Sequence, residues 1–276
     1  MKFFSHFPLR VHCWGGLGSQ LYALSTVHDL KVKYPIRKIK LVLHTGGVTK
    51  RLSELDFIRN IDFEIIQIND FSVQDKGDKN HNNLIKVRLK SLLSKVLYSL
   101  NFIVAANSNL DFDKVRPWTV SIRGHYFNRT VSTEFYSYLL KHIKLDEKHP
   151  NLSQIKIAIH YRMGDLLTLT EKSISPVNKI IDAVKQVQKK QNNSKIYVYS
   201  DSPQIAKETL SNAGFTGEYV VSDIPTIDLI RSCVGADFFI GTGSKVSLWI
   251  VNIRRYMGKI DENFLEGFDD KLYNRL

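Results

Sequence analysis

Three side chains suited to holding an anion follow an apolar run in the second half of the chain. They are His160, Arg162 and Asp165 of the segment HYRMGD, and the run before them is typical of a strand in a parallel sheet. Ligands of such sheets bind beyond the carboxyl ends of the strands, where arginine can grip phosphate oxygens with its planar fork. The segment therefore predicts either a phosphate-binding site or a turn stabilised by an Arg162–Asp165 ion pair.

Two glycine-rich turns offer backbone N–H groups to the same kind of ligand. The first spans residues 15–18 between a predicted strand and a predicted helix, and the second is GTGSK at 241–245. Glycines let an anion approach a helix N-terminus closely. Leu21 stands where the dinucleotide-binding pattern needs its third glycine, and neither turn ends in the GK[ST] of the phosphate-binding loop. An anion site and a plain turn therefore stay equally open at both places.

Two sets of alternating strands and helices would position these residues. The first set has strands at 9–14 and 39–47 around a helix that runs to Lys33, which is a βαβ unit. The second set predicts strands at 156–162, 195–201, 218–223 and 236–241, and helices at 176–191, 203–213, 226–234 and 245–256. Each set predicts a parallel α/β sheet.

A polar stretch that contains a proline, residues 145–153, separates the two sets. We therefore expect two Rossmann-like α/β lobes that flank a cleft, one over residues 1–149 and one over residues 150–276. A second polar segment, 70–83, shows no periodicity and is typical of a loop within the first lobe.

Composition and charge narrow the class of protein. With 43% hydrophobic and 24% charged residues, the chain matches a soluble globular protein and excludes disordered, collagen-like and disulfide-scaffold classes. The formal net charge of +12 favours an anionic partner, such as nucleic acid, an acidic membrane surface or a phosphorylated substrate. Cys13 and Cys233 have no metal-binding or redox spacing, which favours a reducing compartment.

One predicted helix could contact a membrane. Between residues 85 and 100 apolar side chains recur with the helical period, flanked by Lys86, Arg88, Lys90 and Lys95. Such a helix either lies on an anionic membrane surface or packs into the core. No apolar run approaches the roughly 20 residues that span a bilayer, and MKFFSHFPLR lacks the apolar core of a signal peptide. We therefore expect a cytoplasmic protein, with peripheral contact at the inner membrane face left open.

Five motifs, taken in order along the chain, resemble those of the bacterial α-1,2-fucosyltransferases. GGLGSQ, IRGHYF, HYRMGD, YSDS and DLIRSCVGADFFIGTGSKVSLW stand where family members typically read GGLGNQ, GYFQ, HxRRGD, SDD and DLxxMSxCxxxIxxNSxFSWW. The resemblance spans residues 15–249. It implies a GT-B fold whose C-terminal lobe holds most of a GDP-sugar, with no metal and no further cofactor. It also implies an inverting transfer of fucose from GDP-fucose to a saccharide of a surface polysaccharide, such as O-antigen or capsule.

Several motif positions depart from the family pattern. Ser19 replaces an asparagine, Met163 replaces the second arginine of HxRRGD, and Ser202 replaces the second aspartate of SDD. His125 shifts the GYFQ motif, and GTGSKVSLW replaces the NSxFSWW stretch. One of two phosphate-facing arginines is therefore absent, so the donor stays open between GDP-fucose and another nucleotide sugar.

The resemblance also implies roles for particular residues. Arg162 and the N–H groups of the turn 241–244 would stabilise the leaving diphosphate, and a general base would accept the proton of the acceptor hydroxyl. The candidates for that base are Asp165, Glu171 and His125. The residues expected to bind the nucleotide sugar are Gly16, Gly18, His160, Arg162, Asp201, Asp228, Gly241, Gly243, Ser244 and Lys245. His12 or Gln20 would add hydrogen bonds at the first turn, unless His12 is simply satisfied within its strand.

Two other interpretations lie outside this family. DFD at 111–113 matches the metal-binding DxD of GT-A glycosyltransferases, in which carboxylates hold Mg²⁺ or Mn²⁺ against a diphosphate. A nucleic-acid-binding protein would explain the basic charge, but no binding motif occurs and no basic stretch is interleaved with aromatic residues. The basic N-terminal lobe instead suits an enzyme that extends a lipid-linked saccharide near acidic headgroups.

Overall fold

The computed structural model describes residues 7–46, 50–59, 61–70, 93–126, 128–145, 155–164, 174, 176–190, 193–216 and 219–259. Contacts between residues divide the chain into two compact units. The first, which we call unit 1, ends at Phe135, and the second, unit 2, begins at Tyr136.

Unit 1 is built on a five-stranded sheet in which every pair of neighbouring strands is parallel. The strands are β1 Leu9–Trp14, β2 Ile39–His44, β3 Glu64–Ile68, β4 Ile103–Ala105 and β5 Ser121–Arg123, and the helices of this part of the chain are α1 Leu17–Lys33, α2 at 93–99, α3 Asn109–Phe112 and α4 Thr133–Ile143. The order across the sheet is β3-β2-β1-β5-β4. β1 and β2 form its buried centre, since each contains three consecutive buried residues.

Unit 2 is built on a four-stranded parallel sheet. Its strands are β6 Ile155–His160, β7 Ser194–Tyr199, β8 Tyr219–Ser222 and β9 Phe238–Gly241, and its further helices are α5 Val177–Lys190, α6 Pro203–Asn212, α7 Thr226–Gly235 and α8 Lys245–Tyr256. The order across the sheet is β8-β7-β6-β9. The apolar residues of β6, including Ile157 and Ile159, pack with Val184 of α5 and Ile240 of β9 in one buried cluster.

The predicted fold class, two Rossmann-like α/β units, is confirmed by these two parallel sheets. The bounds predicted for β1 and α8 agree with the structure. β3, β4 and β5 are not predicted, because strands of three to five residues that are partly exposed give little periodic signal. β6 ends at His160 instead of Arg162. The Tyr161 N–H still donates to the Tyr199 carbonyl of β7, but the N–H groups of Arg162, Met163 and Gly164 donate to side chains.

The division between the units falls inside α4, because neighbouring residues of this helix pack on different partners. Phe135 meets the His28 ring edge-on, with 5.5 Å between ring centroids. Tyr136 packs on Trp249 and Tyr256 of α8, with centroids 5.9 Å and 5.4 Å away. The boundary predicted from the sequence, between 149 and 150, lies outside the described residues and stays a prediction.

The amphipathic segment at 85–100 is described only from residue 93. Residues 93–99 are helical, and Leu93, Val96 and Leu100 are 59%, 47% and 54% exposed. This part of the segment therefore does not pack into the core of unit 1. Over the described part of the chain, we find no helix whose length and apolar character would let it cross a membrane.

Candidate functional site

In each sheet the chain first adds strands on one side of the first strand and then places the remaining strands on its other side. The strand order therefore reverses direction at one position in each sheet. Parallel α/β folds bind ligands beyond the carboxyl ends of the strands at such a place. In unit 2 it lies between β6 and β9, where His160 is opposite Gly241. In unit 1 it lies between β1 and β5, where His12 is opposite Arg123.

Arg162 follows β6, and its backbone is fixed to the turn after β9. Its N–H donates to Thr242 Oγ1 over 3.0 Å, and the same hydroxyl donates to the His160 carbonyl over 2.9 Å. The Arg162 side chain is partly buried. A guanidinium stays charged at any working pH, so these contacts hold a permanent positive charge at the edge of the unit 2 sheet.

Asp201 shapes the segment that carries Arg162. Its Oδ1 accepts the N–H groups of Met163 and Gly164, each over 2.9 Å. A Cβ atom on Gly164 would lie 2.1 Å from Asp201 Oδ2, so only glycine fits this position without a displacement. Asp201, expected from the sequence to bind the nucleotide sugar, thus organises the backbone beside Arg162.

His160 supports the first turn of α8. It is 6% exposed, and its Nδ1 lies 2.7 Å from Ser247 Oγ. Burial, and then the charge of Arg162, lower the pKa of His160 to about 4, so the ring is neutral at physiological pH. The Ser247 N–H donates to Ser244 Oγ over 3.0 Å. The two serines and His160 therefore hold the start of α8 in a fixed position relative to β6.

The N-terminus of α8 carries no acidic residue in its first turn. Ser244 is the N-cap and Lys245 the first helical residue, and the turn from Gly241 through Gly243 joins them to β9. Unpaired N–H groups and the helix dipole give such an end a partial positive charge that attracts anions. Arg162, Lys245 and this helix end thus supply positive charge after two neighbouring strands, an arrangement that can bind a diphosphate.

Asp228, which the sequence predicts to contact the nucleotide, instead forms an ion pair within α7. Its Oδ1 accepts from Arg231 over 2.6 Å, and Arg231 Nε also donates to the Ile143 carbonyl. Among the described residues Asp228 contacts this arginine and not the segment of Arg162.

The glycine turn of unit 1 already holds a carboxylate from the chain itself. Glu54 Oε1 accepts the Leu17 N–H over 2.9 Å, and a Cβ on Gly16 would lie 3.1 Å from the same oxygen. Gln20 locks this arrangement, because it donates to the Leu52 carbonyl over 2.8 Å and accepts the Glu54 N–H over 2.9 Å. The start of α1, with Gly18 in its first turn, is therefore neutralised internally.

Three side chains form a hydrogen-bonded row at the carboxyl edge of unit 1. His12 Nδ1 lies 2.8 Å from His44 Nε2, and His44 Nδ1 lies 2.5 Å from Asp70 Oδ2. Trp14 stacks on His44 with ring centroids 4.3 Å apart. Burial is the main cause that lowers the pKa of His12 to about 4, with Arg123, His44 and Arg10 adding to it. His12 is thus buried in its strand and also hydrogen-bonded to a second histidine.

The remaining predicted residues divide into three groups. Asp165 and Glu171 lie outside the described residues. His125 is exposed, and its N–H donates to Asn107 Oδ1 over 3.0 Å. Asp111 of the DFD sequence accepts from Ser108 Oγ and from Lys114 Nζ, each over 3.0 Å, which is a local capping role in α3. The described residues contain no cluster of three His, Cys, Asp or Glu side chains placed to hold a metal ion.

Five residues that build these two edges are not predicted from the sequence, namely Thr242, Ser247, Glu54, His44 and Asp70. Thr242 and Ser247 lie within the motif region 241–249, and their spacing from Ser244 is typical of a capped helix start. His44 is the last residue of β2 and Asp70 lies two residues after β3, a strand that the sequence does not predict, so no pattern in the sequence marks either of them. No pattern in the sequence pairs Glu54 with Leu17, because the two are 37 residues apart.

Comparison with known proteins finds no matching family model and no matching curated protein. Among solved structures, the chain is similar to the heptosyltransferase WaaC of E. coli with ADP (11% identity, 96% of this chain and 91% of that chain, TM-score 0.46). It is also similar to POFUT1 in complex with GDP (12%, 96% and 99%, TM-score 0.42). A third is the UDP-GlcNAc 2-epimerase of Neisseria meningitidis bound to UDP-GlcNAc (11%, 86% and 79%, TM-score 0.41). Two transferases and an epimerase occur together here, so these likenesses do not select a reaction.

Proposed function

We propose that the protein is an inverting glycosyltransferase of GT-B type that needs no metal ion. It takes a sugar from a nucleoside diphosphate and attaches it to a hydroxyl of a saccharide. The first candidate donor is GDP-fucose, and the first candidate product is an α-1,2-linked fucoside of a surface polysaccharide. The motif resemblance from residue 15 to residue 249 supports the donor and the linkage.

The positive edge of unit 2 is the observation that carries this proposal. Arg162 is fixed through its backbone to Thr242 over 3.0 Å, and α8 begins beside it without an acidic residue in its first turn. A diphosphate needs donors of this kind because negative charge grows on it as the bond to the sugar breaks. An edge built in advance, with its neutral supports His160 and Ser247 buried, does not have to reorganise when that charge develops.

In the proposed reaction the acceptor oxygen attacks the anomeric carbon from the side opposite the diphosphate. The carbon–oxygen bond to the diphosphate breaks, the sugar acquires oxocarbenium character, and the configuration inverts. Arg162 and the first N–H groups of α8 receive the leaving diphosphate. Asp201 and Gly164 position the segment that carries Arg162.

The charge of the chain supports a proposal for the acceptor and its location. Residues 1–50 contain eight Lys and Arg but only one acidic residue, Asp29. Arg37 is buried, and Lys31 and Lys40 pair with Asp62 and Glu64. Each remaining basic residue that comes near acidic headgroups would contribute about 1 kcal/mol. We therefore propose a lipid-linked saccharide acceptor and peripheral attachment at the cytoplasmic membrane face.

The first experiment measures the melting temperature of the protein with GDP, UDP, CMP or dTDP, each with and without EDTA. A nucleotide that binds only the folded protein raises its stability by about 2.7 kcal/mol at 100 times its Kd. We expect GDP alone to stabilise the protein, and EDTA to leave this effect unchanged. Stabilisation by UDP and not by GDP would mean that the donor is a UDP-sugar. Stabilisation that EDTA abolishes would overturn the metal-free mechanism. No stabilisation by any of the four nucleotides would overturn the proposed function.

A further inference from the structure

Helix α2 of unit 1 turns an apolar stripe outward. Leu93, Val96 and Leu100 recur at positions i, i+3 and i+7, so they share one face of the helix. All three side chains are exposed, although a helix that packs on a sheet normally turns such a stripe inward. A contiguous apolar surface that meets solvent marks a place where a protein or a membrane binds.

The stripe belongs to a helix whose end is fixed to the sheet of unit 1. The Phe102 N–H donates to the Leu97 carbonyl over 2.9 Å, and Asn101 between them adopts a positive φ of 57°. This bond and this left-handed residue are those of the Schellman motif, which ends a helix. The chain then enters β4, and Trp118 Nε1 donates to the Leu100 carbonyl over 3.0 Å. The end of α2 is therefore held in place while its stripe stays exposed.

The sequence around the stripe is basic. From residue 79 to residue 110 the chain contains five basic residues and no aspartate or glutamate. The five are Lys79, Lys86, Arg88, Lys90 and Lys95. Lys95 is exposed within α2. The first acidic residue after this stretch, Asp111, pairs with Lys114 over 3.0 Å. The charge of this part of the chain therefore complements an anionic surface.

An apolar stripe among basic residues fits a bilayer of anionic lipids better than it fits a protein. Interfaces between proteins are depleted in lysine. Helices that lie on membranes bury their apolar face at the boundary of headgroups and acyl chains, and they keep lysine and arginine at the headgroups. Tyr98 is exposed on α2 and Trp118 lies at its end, and both residue types favour that boundary. The chemistry of α2 thus selects a membrane surface.

We propose that α2 attaches unit 1 to a membrane that contains anionic lipids. Leu93, Val96 and Leu100 enter the boundary between headgroups and acyl chains, and Lys95 contacts lipid phosphates. This inference rests on the membrane attachment in the proposed function, but it needs neither the donor nor the transfer step. It gives that attachment a surface, which the charge of residues 1–50 alone does not define.

Binding of the whole chain to vesicles, measured by sedimentation, tests the stripe. One set of vesicles contains phosphatidylcholine and phosphatidylglycerol in equal parts, and the other contains phosphatidylcholine only. We expect wild-type protein to bind the mixed vesicles more tightly. Leu93→Gln and Leu100→Gln, combined in one variant, should lower the affinity for mixed vesicles about tenfold or more, because two apolar side chains no longer leave water. Leu52→Gln is the matched control, since Leu52 is 60% exposed against 59% for Leu93 and lies outside α2.

Lys95→Gln tests the contribution of charge. It should weaken binding to mixed vesicles about fivefold at low salt, the effect of one basic residue near anionic headgroups. High salt should abolish this difference because it screens exposed charges. The difference caused by the two leucines should persist at high salt. Lys207→Gln, which removes an exposed lysine from α6 of unit 2, is the matched control.

Insertion of the stripe is tested by an indole at its centre. In Val96→Trp, mixed vesicles should shift the fluorescence emission to shorter wavelength, relative to wild-type protein with the same vesicles, because the new indole leaves water. Leu52→Trp should show no such shift. An unshifted emission from Val96→Trp that is bound to mixed vesicles would overturn the inference.

The outcomes separate this inference from the proposed function. If the double leucine variant binds mixed vesicles as tightly as wild-type protein, α2 is not the attachment surface and the proposed attachment stands. If wild-type protein does not bind mixed vesicles, the attachment and this inference both fail. Dimers of wild-type protein that the double variant abolishes, without vesicle binding, would make α2 an interface between copies and overturn the inference. Stabilisation by GDP tests the transferase separately, since these variants leave unit 2 unchanged.

Discussion

The two glycine-rich junctions between a strand and a helix look alike in sequence and differ in charge. In unit 1 the start of α1 meets the Glu54 carboxylate, which accepts the Leu17 N–H over 2.9 Å. In unit 2 the start of α8 is capped by the neutral Ser244 hydroxyl, and the nearby segment carries Arg162. One junction is already neutralised by the chain, and the other concentrates positive charge.

This difference shows what a glycine turn does and does not determine. Glycine permits a close approach to the helix start, and at Gly15 it also permits the positive φ of 107°. Which anion approaches depends on residues far away in sequence. We therefore propose unit 2 as the diphosphate site and propose a structural role for the turn of unit 1.

The largest effect is expected from the positive edge of unit 2. Arg162→Ala should lower kcat/KM for the donor by about 10²–10³-fold, the usual cost of losing one donor to a developing negative charge. Stabilisation by GDP should fall with it, while the melting temperature without ligand stays near the wild-type value. Arg255→Ala is the matched control, because Arg255 is an exposed arginine in the last turn of α8. If Arg162→Ala transferred the sugar as fast as wild-type protein, Arg162 would not bind the diphosphate. The proposed functional difference between the two junctions would then be wrong.

The next largest effect is the loss of folding stability as the pH falls, which we expect from the buried histidines of the two edges. His12 and His160 each have a pKa of about 4 in the folded protein, against an ordinary 6.5. The unfolded chain therefore binds these protons first, so stability is complete above pH 6.5 and is lost as the pH falls toward 4. The loss is roughly 3 kcal/mol for each histidine over this window.

Unfolding by urea between pH 7 and pH 4 measures this loss. His160→Asn should flatten the pH dependence of unit 2, since its amide oxygen can still accept from Ser247 but does not titrate. Equal acid sensitivity of this variant and wild-type protein would show that His160 is not held neutral.

A smaller effect is expected from Gly164→Ala. The new Cβ would lie 2.1 Å from Asp201 Oδ2, so Asp201 must move and release the N–H groups of Met163 and Gly164. Forcing a methyl group into a tight site costs about 1–3 kcal/mol. We expect a lower melting temperature together with weaker binding of GDP. Gly235→Ala is the matched control, because a Cβ on Gly235 has no neighbour within 4 Å.

The sequence predicts the parts of the two edges that depend on local pattern. β1, α1 and α8 are predicted from apolar runs, and Arg162 is predicted from its place at the end of a predicted strand. The row in unit 1 has no such pattern: His44 and Asp70 are 26 residues apart and meet only because β2 and β3 are parallel neighbours. Glu54 lies in a segment without a helix or strand, so its contact with Leu17 depends on tertiary packing alone.

The smallest effect tests the internal carboxylate of unit 1. Glu54→Gln keeps an oxygen that can accept the Leu17 N–H but removes the negative charge from the start of α1. A charge at a helix end contributes about 0.3–1 kcal/mol, and salt screens it. We therefore expect a small drop in melting temperature at low salt that shrinks at high salt, with GDP binding unchanged. Asp56→Asn, which removes an exposed carboxylate two residues away, should cost less. If Glu54→Gln instead tightened GDP binding, the start of α1 would be a diphosphate site that the Glu54 carboxylate occupies. Both junctions could then bind a diphosphate, and they would differ only in whether a side chain of the protein already fills the site.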